Sequence, residues 1–569
     1  MLLLSSSKFQ NSTYKVDAQK ECLFYRYFLI IFMKVIIGLL VELMIFTKLG
    51  NLILKESHMK KFFELLTHRI VTFVVAMVLQ LIVLIIVISR FNNYSSIFYG
   101  VMLLFSFIIV LWLINSKSNP AYKMAWVIPI IALPVFGAVF YWLFGNKGLS
   151  KKDRSKLIII AETIQVNMPQ NEEIMNSLKV NDSKGYSQAH YIKGYAFAPP
   201  YSKTYSLYFP SGEEMYDKLL IDIKSAKKYI FLEFFIIATG TMWQGILDVL
   251  VEKVNEGVDV RVCYDDVGCI LTLPSKYDAY LNSIGVKTAV FNPLKLKMSS
   301  KYNNRNHRKI AIIDGTIGYT GGCNIADEYI NKIEKRGHWK DAAIRLHGDA
   351  VWSLTVMFLT MWDYIQHTTS DFNHLYPPAL TDQIFPEIGL VQPFSDNPLD
   401  MEPVGNHIYL NLINRAEKYI YIKTPYLIID HGLYTALSLA AKSGVEVIII
   451  TPGQGDKWYV HETTRSYYKM LIQEGICIYE YTPGFMHEKS IVVDDEYAVI
   501  GTVNLDYRSL FLHFECGVWL WKTPSIKEMK NDFLMIITQC QKVTLESFED
   551  ISFFKIALRA FLRIFAPLM

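Results

Sequence analysis

Six of the 569 residues stand out because the same three types recur at the same spacing: His307, Lys309 and Asp314, then His487, Lys489 and Asp494. Gly321 and Asn324 trail the first histidine by fourteen and seventeen positions, and Gly501 and Asn504 trail the second identically. One such triplet is a weak pattern in a long chain, whereas two with matched tails are no accident. Imidazole attacks phosphorus to give a covalent phosphohistidine, splitting one hard displacement into two easier ones. A second imidazole protonates the leaving alcohol and deprotonates the incoming one. Ammonium and amide groups stabilise charge on the equatorial oxygens, where losing one preorganised donor costs about 3 kcal/mol. Two histidines, two lysines and two asparagines, with no Cys, Asp or Glu cluster at ligand spacing, suit two-step transfer at a phosphodiester without a metal or cofactor.

The flanks repeat as well. Ala226-Lys227-Lys228-Tyr229-Ile230 is echoed by Ala416-Glu417-Lys418-Tyr419-Ile420, and Gly257-Val258-Asp259-Val260 by Gly444-Val445-Glu446-Val447. So long a period means a duplicated domain rather than a solenoid. Apolar runs at 229–237 and 445–450 read as buried strands, and 242–255 and 433–443 as helices ended by Gly257 and Gly444. The expected fold is α/β, with two halves whose sheets are covered on both faces and whose motif strands face one another. Alternation puts His307 with Lys309, and His487 with Lys489, on one strand face. Asp314 and Asp494 are out of phase, which predicts that they end the strand and fix a turn.

These motifs resemble the phospholipase D superfamily, and within it the bacterial cardiolipin synthases. The resemblance runs from about Asn115 to Met569. It includes Asn119-Pro120-Ala121-Tyr122-Lys123-Met124-Ala125-Trp126, 232–236, 321–329, Thr464-Arg465-Ser466-Tyr467-Tyr468 and Asn504-Leu505-Asp506-Tyr507-Arg508-Ser509. It implies a duplicated bilobal fold, pseudo-twofold, with one active site at the junction. It also implies a catalytic set of His307, Lys309, Asp314, His487, Lys489 and Asp494, with Asn324 and Asn504 on the phosphate. By the same resemblance His307 is the nucleophile, His487 the acid and base, and Asp341 and Glu515 orient the histidines across the interface. The competing reading makes those two ordinary surface carboxylates. His513 receives no role, and Tyr264, Asp265, Asp266, Arg465 and Tyr467 only a nearness to the site. The implied reaction joins two phosphatidylglycerols into cardiolipin and glycerol; rivals are a hydrolase using water, an endonuclease and a lipid-binding scaffold.

Hydrophobic residues make up 52% of the chain, high for a soluble enzyme. Uncharged runs at 70–89 and 97–114 are long enough to cross a bilayer. A third, at 124–144, carries Pro129 and Pro134 and is either a span or a re-entrant segment. Basic residues flank both ends of the region, Lys60, Lys61 and Arg69 before it and Lys147, Lys151, Lys152 and Arg154 after it. Both ends inside demand an even number of crossings. The expected organisation is an extension at 1–58, either untranslated ahead of Met59 or a real anchor, followed by a membrane region at 59–147. The halves follow at 148–395 and 396–569, on the cytoplasmic side of a bacterial cell membrane.

In 552–569, Lys555, Arg559 and Arg563 fall four apart on one helical face amid apolar residues. That pattern predicts a basic face on anionic lipid, or alternatively a helix that caps the domain. A net charge of +4 is too small for a general nucleic-acid binder. Seven scattered cysteines form neither a disulfide framework nor a metal cluster and read as reduced thiols.

Overall fold

The computed structural model describes residues 96–116, 118–132, 151–294, 304–377, 389–400 and 402–568, with scattered positions between 82 and 145. The chain divides into two compact units, Met1–Ile86 and Val87–Met569, and nearly all described residues belong to the second. The expectations for 1–58 and, apart from isolated positions, for the run at 70–89 lie outside the described residues.

Two mixed sheets carry the second unit. The first is built from β1 (Thr204–Phe209), β2 (Tyr229–Phe234), β3 (Asp259–Asp265), β4 (Lys287–Phe291), β5 (Lys309–Ile313), β6 (Ile317–Gly321) and β8 (Ala343–Gly348). The second is built from β9 (Leu390–Asp396), β10 (Tyr419–Lys423), β11 (Glu446–Pro452), β12 (Cys477–Tyr481), β14 (Ser490–Val493), β15 (Tyr497–Gly501), β16 (Glu515–Trp521) and β17 (Cys540–Val543). The first sheet runs β4-β3-β2-β5-β6-β8-β1, and the second runs β12-β11-β10-β14-β15-β16-β9 with β17 added at the β12 edge. The orders correspond strand for strand, so the duplication legible in the motifs extends to topology. β7 (His338–Lys340) and β13 (Gly484–Met486) pair in parallel and stitch one half to the other.

The predicted helices appear as Thr241–Asn255 and His431–Lys442, and the predicted strands as β2 and β11. Only three neighbouring strands in each sheet are parallel; the motif strands β5 and β14 pair antiparallel on both sides. Apolar content reports burial and leaves strand direction open, so an all-parallel pattern was never encoded in it.

Alternation along the motif strands separates two cores. Ile310 and Ile312 enter a layer shared with Tyr421, Val492 and Val518 of the other half, while Ala311 and Ile313 face the first half's own helices. The shared layer is filled by the helices Val351–Gln366 and Pro524–Ile537. Phe358 stacks on Phe231 there, ring centres 4.7 Å apart, a packing whose truncation to alanine costs about 3–5 kcal/mol.

Asp314 and Asp494 close the turn after each motif strand, with φ of 52° and 56°. Asp314 accepts from the backbone N–H groups of Lys227, Lys228 and Tyr229 at 2.7–2.9 Å. Asp494 does the same for Glu417, Lys418 and Tyr419 at 2.6–2.8 Å. Each carboxylate thereby fixes where the neighbouring strand, β2 or β10, begins.

Among the described residues no helix is both long and apolar enough to cross a membrane. The nearest is Ser96–Asn115, 20 residues without a charge, the side chains of its first four positions lying outside the description. Leu104, Phe107, Ile108 and Trp112 are among its exposed apolar side chains, and the polar Asn115 is exposed at its end. The proline-bearing run is helical over Pro120–Ala132.

The C-terminal helix, Phe553–Phe565, combines features of both alternatives. Arg559 is 8% exposed and pairs with Glu462 at 2.8 Å, Lys555 reaches the same carboxylate at 3.4 Å, and Arg563 lies 4.3 Å over the Tyr467 ring. Arg559 faces the helix Trp458–Gln473, as in the capping alternative, whereas Lys555 and Arg563 remain exposed beside the outward Phe553, Phe554, Ile556 and Phe561. The stripe thus meets a carboxylate and an aromatic ring of the neighbouring helix, with only Arg559 buried.

Candidate active site

Each motif histidine sits just before its strand and is held by the opposite half. The His307 N–H donates to Phe514 O at 2.9 Å, and the His487 N–H to Lys340 O at 2.7 Å. The residue after each acceptor supplies the carboxylate. His307 Nδ1 lies 3.0 Å from both oxygens of Glu515, and His487 Nδ1 2.6 Å from Asp341 Oδ2. Both carboxylates are fully buried, so the surface reading of them is wrong. Engaging Nδ1 leaves Nε2 of each ring as the nitrogen for chemistry.

The carboxylates are fixed in turn. Glu515 accepts from Ser509 Oγ at 2.6 Å and from Thr502 Oγ1. Asp341 Oδ1 accepts from Ala342 N at 2.8 Å. A side chain at Gly322 would meet that oxygen at 1.9 Å, which is why glycine stands where the second half has Thr502. Ser509 was named from the sequence only within a resembling segment, without a role, and Thr502 not at all, although Thr502 sits in the second tail where Gly322 sits in the first.

Lys309 Nζ donates to His307 O at 2.7 Å, and Lys489 Nζ to His487 O. Lys489 Nζ also lies 2.9 Å from His487 Nδ1, but a nitrogen donating to Asp341 has no lone pair to offer it. Burial pushes Lys309 down to about 7, against the pull of Glu515, and Lys489 down to about 8, against Asp341. Burial also holds both imidazoles below their ordinary value. The charges of Lys309, Lys489 and His487 add to it for His307; Lys489 adds to it for His487, which falls to about 4 despite Asp341. Both rings are therefore neutral at neutral pH, the form that attacks phosphorus. Asp341 is raised by burial, but His487 and Lys489 outweigh that and leave it below its usual value.

Asn324 accepts from Ile236 N at 3.0 Å and donates to the Tyr329 hydroxyl at 2.6 Å, leaving one amide proton for a substrate oxygen. Asn504 reaches Asp506 at 3.4 Å, and its Oδ1 is buried without a partner. Asp314 and Asp494, grouped with the catalytic residues by the resemblance, are corrected: they lie at the far ends of the motif strands, committed to the backbone amides. Phe235 stands edge-on to His307, and Tyr329, Trp339 and Phe485 surround His487, all with ring centres within 5.7 Å.

Asp265 accepts from Asn306 N at 3.0 Å and from Arg305 at 3.2 Å, so it holds the segment leading into His307. Arg465 is bound bidentately by Glu480 at 2.8 Å, and Tyr467 lies under Arg563. A buried ionic group borders the site on the other side. Lys340 and Lys423 meet Asp532 and Glu488, and Tyr208 donates to both acids at 2.8 and 3.1 Å. Tyr208 and Lys340 come from one half and the rest from the other.

Ligating atoms of His307, His513 and Glu515 lie within 4.8 Å of one another, close enough for a cation. This trio is an arrangement the sequence spacing did not suggest. Glu515 already takes the His307 ring and two hydroxyls, so an ion there would compete with the contact that orients His307.

The family model described as cardiolipin synthase, PLD-like domain matches residues 219–336 and 409–537, and one described as phospholipase D-nuclease N-terminal matches 101–146. The chain is 33% identical to a cardiolipin synthase of Alkalihalophilus pseudofirmus over 84% of its own length and 92% of the relative's. It is 40% identical to an uncharacterised protein of Streptococcus mutans serotype c, over 76% of this chain and 94% of that one. A solved phosphatidylserine synthase of Haemophilus influenzae Rd KW20 shares the fold at a TM-score of 0.50 and 16% identity, covering 67% of this chain and 98% of that one.

Proposed function

The chain belongs to the phospholipase D-like cardiolipin synthase family, and from that membership we propose that it is a phosphatidyltransferase joining two phosphatidylglycerols into cardiolipin and glycerol. The observation that carries the reading is the reciprocal clamp, in which each half aims the other half's histidine. His307 Nε2 attacks the phosphorus of the first lipid, the P–O bond to glycerol breaks, and protonated His487 gives its proton to the departing oxygen. A hydroxyl of the second lipid then loses its proton to His487 and displaces His307, releasing cardiolipin. Lys309, Lys489 and the amides of Asn324 and Asn504 balance charge on the equatorial oxygens. Burial is the main cause of the low His487 value, and an anionic diester lying against the two lysines offsets it by attracting the proton and cancelling the repulsion from Lys489, so the ring can take up the proton it needs.

The aromatic rings around His487 and the burial of both histidines disfavour water and so favour the transferase over a hydrolase. The carboxylates act on the histidines as positioning groups. Phosphatidylglycerol and cardiolipin are thus the substrate and product partners, with no nucleic acid.

The reading places the enzyme at a bacterial cell membrane, with a membrane region at 59–147 and catalytic halves at 148–395 and 396–569 facing the cytoplasm. It is supported by the outward apolar residues of Ser96–Asn115, Pro120–Ala132 and Phe553–Phe565. The test is incubation of the full chain in vesicles with labelled phosphatidylglycerol. Cardiolipin and glycerol from the wild type, and neither from His307→Ala, are expected; phosphatidic acid without cardiolipin would move the reading to a hydrolase.

A further inference from the structure

A cavity of about 400 Å³ lies behind His513. One wall is the elbow at Ser118, Asn119 and Tyr122, between the two apolar helices; Pro567, at the end of the chain, forms another part of the lining. His513 also lines it, and its ring centre is 5.4 Å from that of His307. The cavity therefore connects the apolar, outward-facing elements with the proposed nucleophile.

Its polar inventory is selective. Among its described lining residues there is no Lys or Arg, and Asp396, Glu402 and Asp430 are present, so a phosphate or carboxylate is unsuited to it. The acids are already occupied. Asp396 accepts from Gly405 N at 2.7 Å, Glu402 meets His407 Nδ1 at 2.7 Å, and Asp430 accepts from Asn119 at 3.1 Å. Among the described lining residues, two buried side chains carry a polar atom without a hydrogen-bond partner: Asn406 through Oδ1, at 4% exposure, and His513 through Nε2, at 8%, its Nδ1 lying 3.5 Å from Glu515. A buried amide oxygen and an imidazole nitrogen facing away from Glu515 without a partner call for a ligand that both donates and accepts.

We propose that this cavity is the subsite for the uncharged, hydroxyl-bearing glycerol arm of the lipid headgroup, with Asn406 and His513 reading its hydroxyls. The proposal rests on the phosphatidyl-transfer reading above. It makes the two residues determinants of which alcohol is accepted, with His513 at the seam between the cavity and the reacting phosphorus.

The experiment is alcohol competition. The full chain in detergent micelles receives phosphatidylglycerol with equal concentrations of labelled glycerol, 1-propanol and ethanolamine, and the three phosphatidyl products are measured. The wild type is expected to favour glycerol. Asn406→Ala and His513→Leu are each expected to lower the glycerol-to-propanol product ratio about tenfold, while His513→Asn, which keeps a donor and an acceptor, retains most of it. A merely structural role would depress all products together and leave the ratio unmoved. An unchanged ratio in both variants, with phosphatidylpropanol still formed, would overturn the subsite, as would a wild-type preference for ethanolamine. Absence of every transfer product from folded wild type would instead sink the transfer reading and the subsite with it.

Discussion

The contact between Glu515 and His307, and its mirror between Asp341 and His487, decides which ring nitrogen faces the substrate. Replacing either carboxylate with its amide keeps the volume but lets the wrong tautomer compete. Glu515→Gln and Asp341→Asn are therefore expected to lower kcat by about 10²–10⁴ with little change in KM, which steady-state kinetics on labelled lipid would check. The ionisations set a pH window. Activity should fall with rising pH as Lys309, at about 7, and Lys489, at about 8, lose the protons that hold an anionic diester. It should fall on the acid side only below the ordinary imidazole value, because His307 is held lower. A kcat/KM profile whose acid limb lay above pH 7 would contradict this assignment. If the cation-sized trio at His307 is not used, a chelator leaves turnover unchanged; loss of activity restored by one added metal would show that it is.

At the scale of elements, Asp314 and Asp494 belong to the turns rather than the chemistry. Asp314→Ala removes the acceptor for three backbone N–H groups, and a loss of about 2 kcal/mol in denaturant unfolding is expected, with kcat in the surviving folded fraction near wild type. These pairs also explain what the sequence made legible. The echoed Ala-x-Lys-Tyr-Ile flanks and the motif aspartates are two sides of one contact, so their joint repetition already encoded how β5 meets β2 and β14 meets β10. Asp341 and Glu515 were legible only through the resemblance, because their partners lie in the other half and no local spacing links them. The C-terminal helix was legible only as two alternatives, because a helical pattern states which residues share a face, and not which face meets the protein. With Arg559 buried and Phe553, Phe554, Ile556 and Phe561 outward, its attachment to vesicles should fail in Phe554→Glu and be only partly weakened by high salt; complete release by salt would contradict that orientation.

Across the whole molecule, the halves are joined by the shared apolar layer, the β7–β13 pair and the buried group of Lys340, Lys423, Glu488 and Asp532. None of that ionic group was legible, since its members are far apart in sequence and each, read singly, is an ordinary charged residue. Removing one partner strands the others in a dry interior, so Asp532→Asn is expected to destabilise the fold by about 3–5 kcal/mol. Burial raises Asp532, but Lys423 and Lys340 outweigh it and hold the carboxyl at about 2. Its contribution is therefore present above the unfolded carboxylate value near 4 and lost as pH falls towards 2, a window that acid titration of wild type and variant would expose.

The central claim is that the phosphatidyl group passes through His307. The direct measurement is to mix His487→Asn with a labelled phosphatidyl-p-nitrophenol, whose phenolate departs without a proton from the missing acid, quench in denaturant and locate the label by peptide mass spectrometry. Without the second imidazole to activate the incoming alcohol, a phosphatidyl adduct on His307 should accumulate and be absent from the double variant His307→Ala, His487→Asn. An adduct on another residue, or full cardiolipin synthesis by that double variant, would contradict the account.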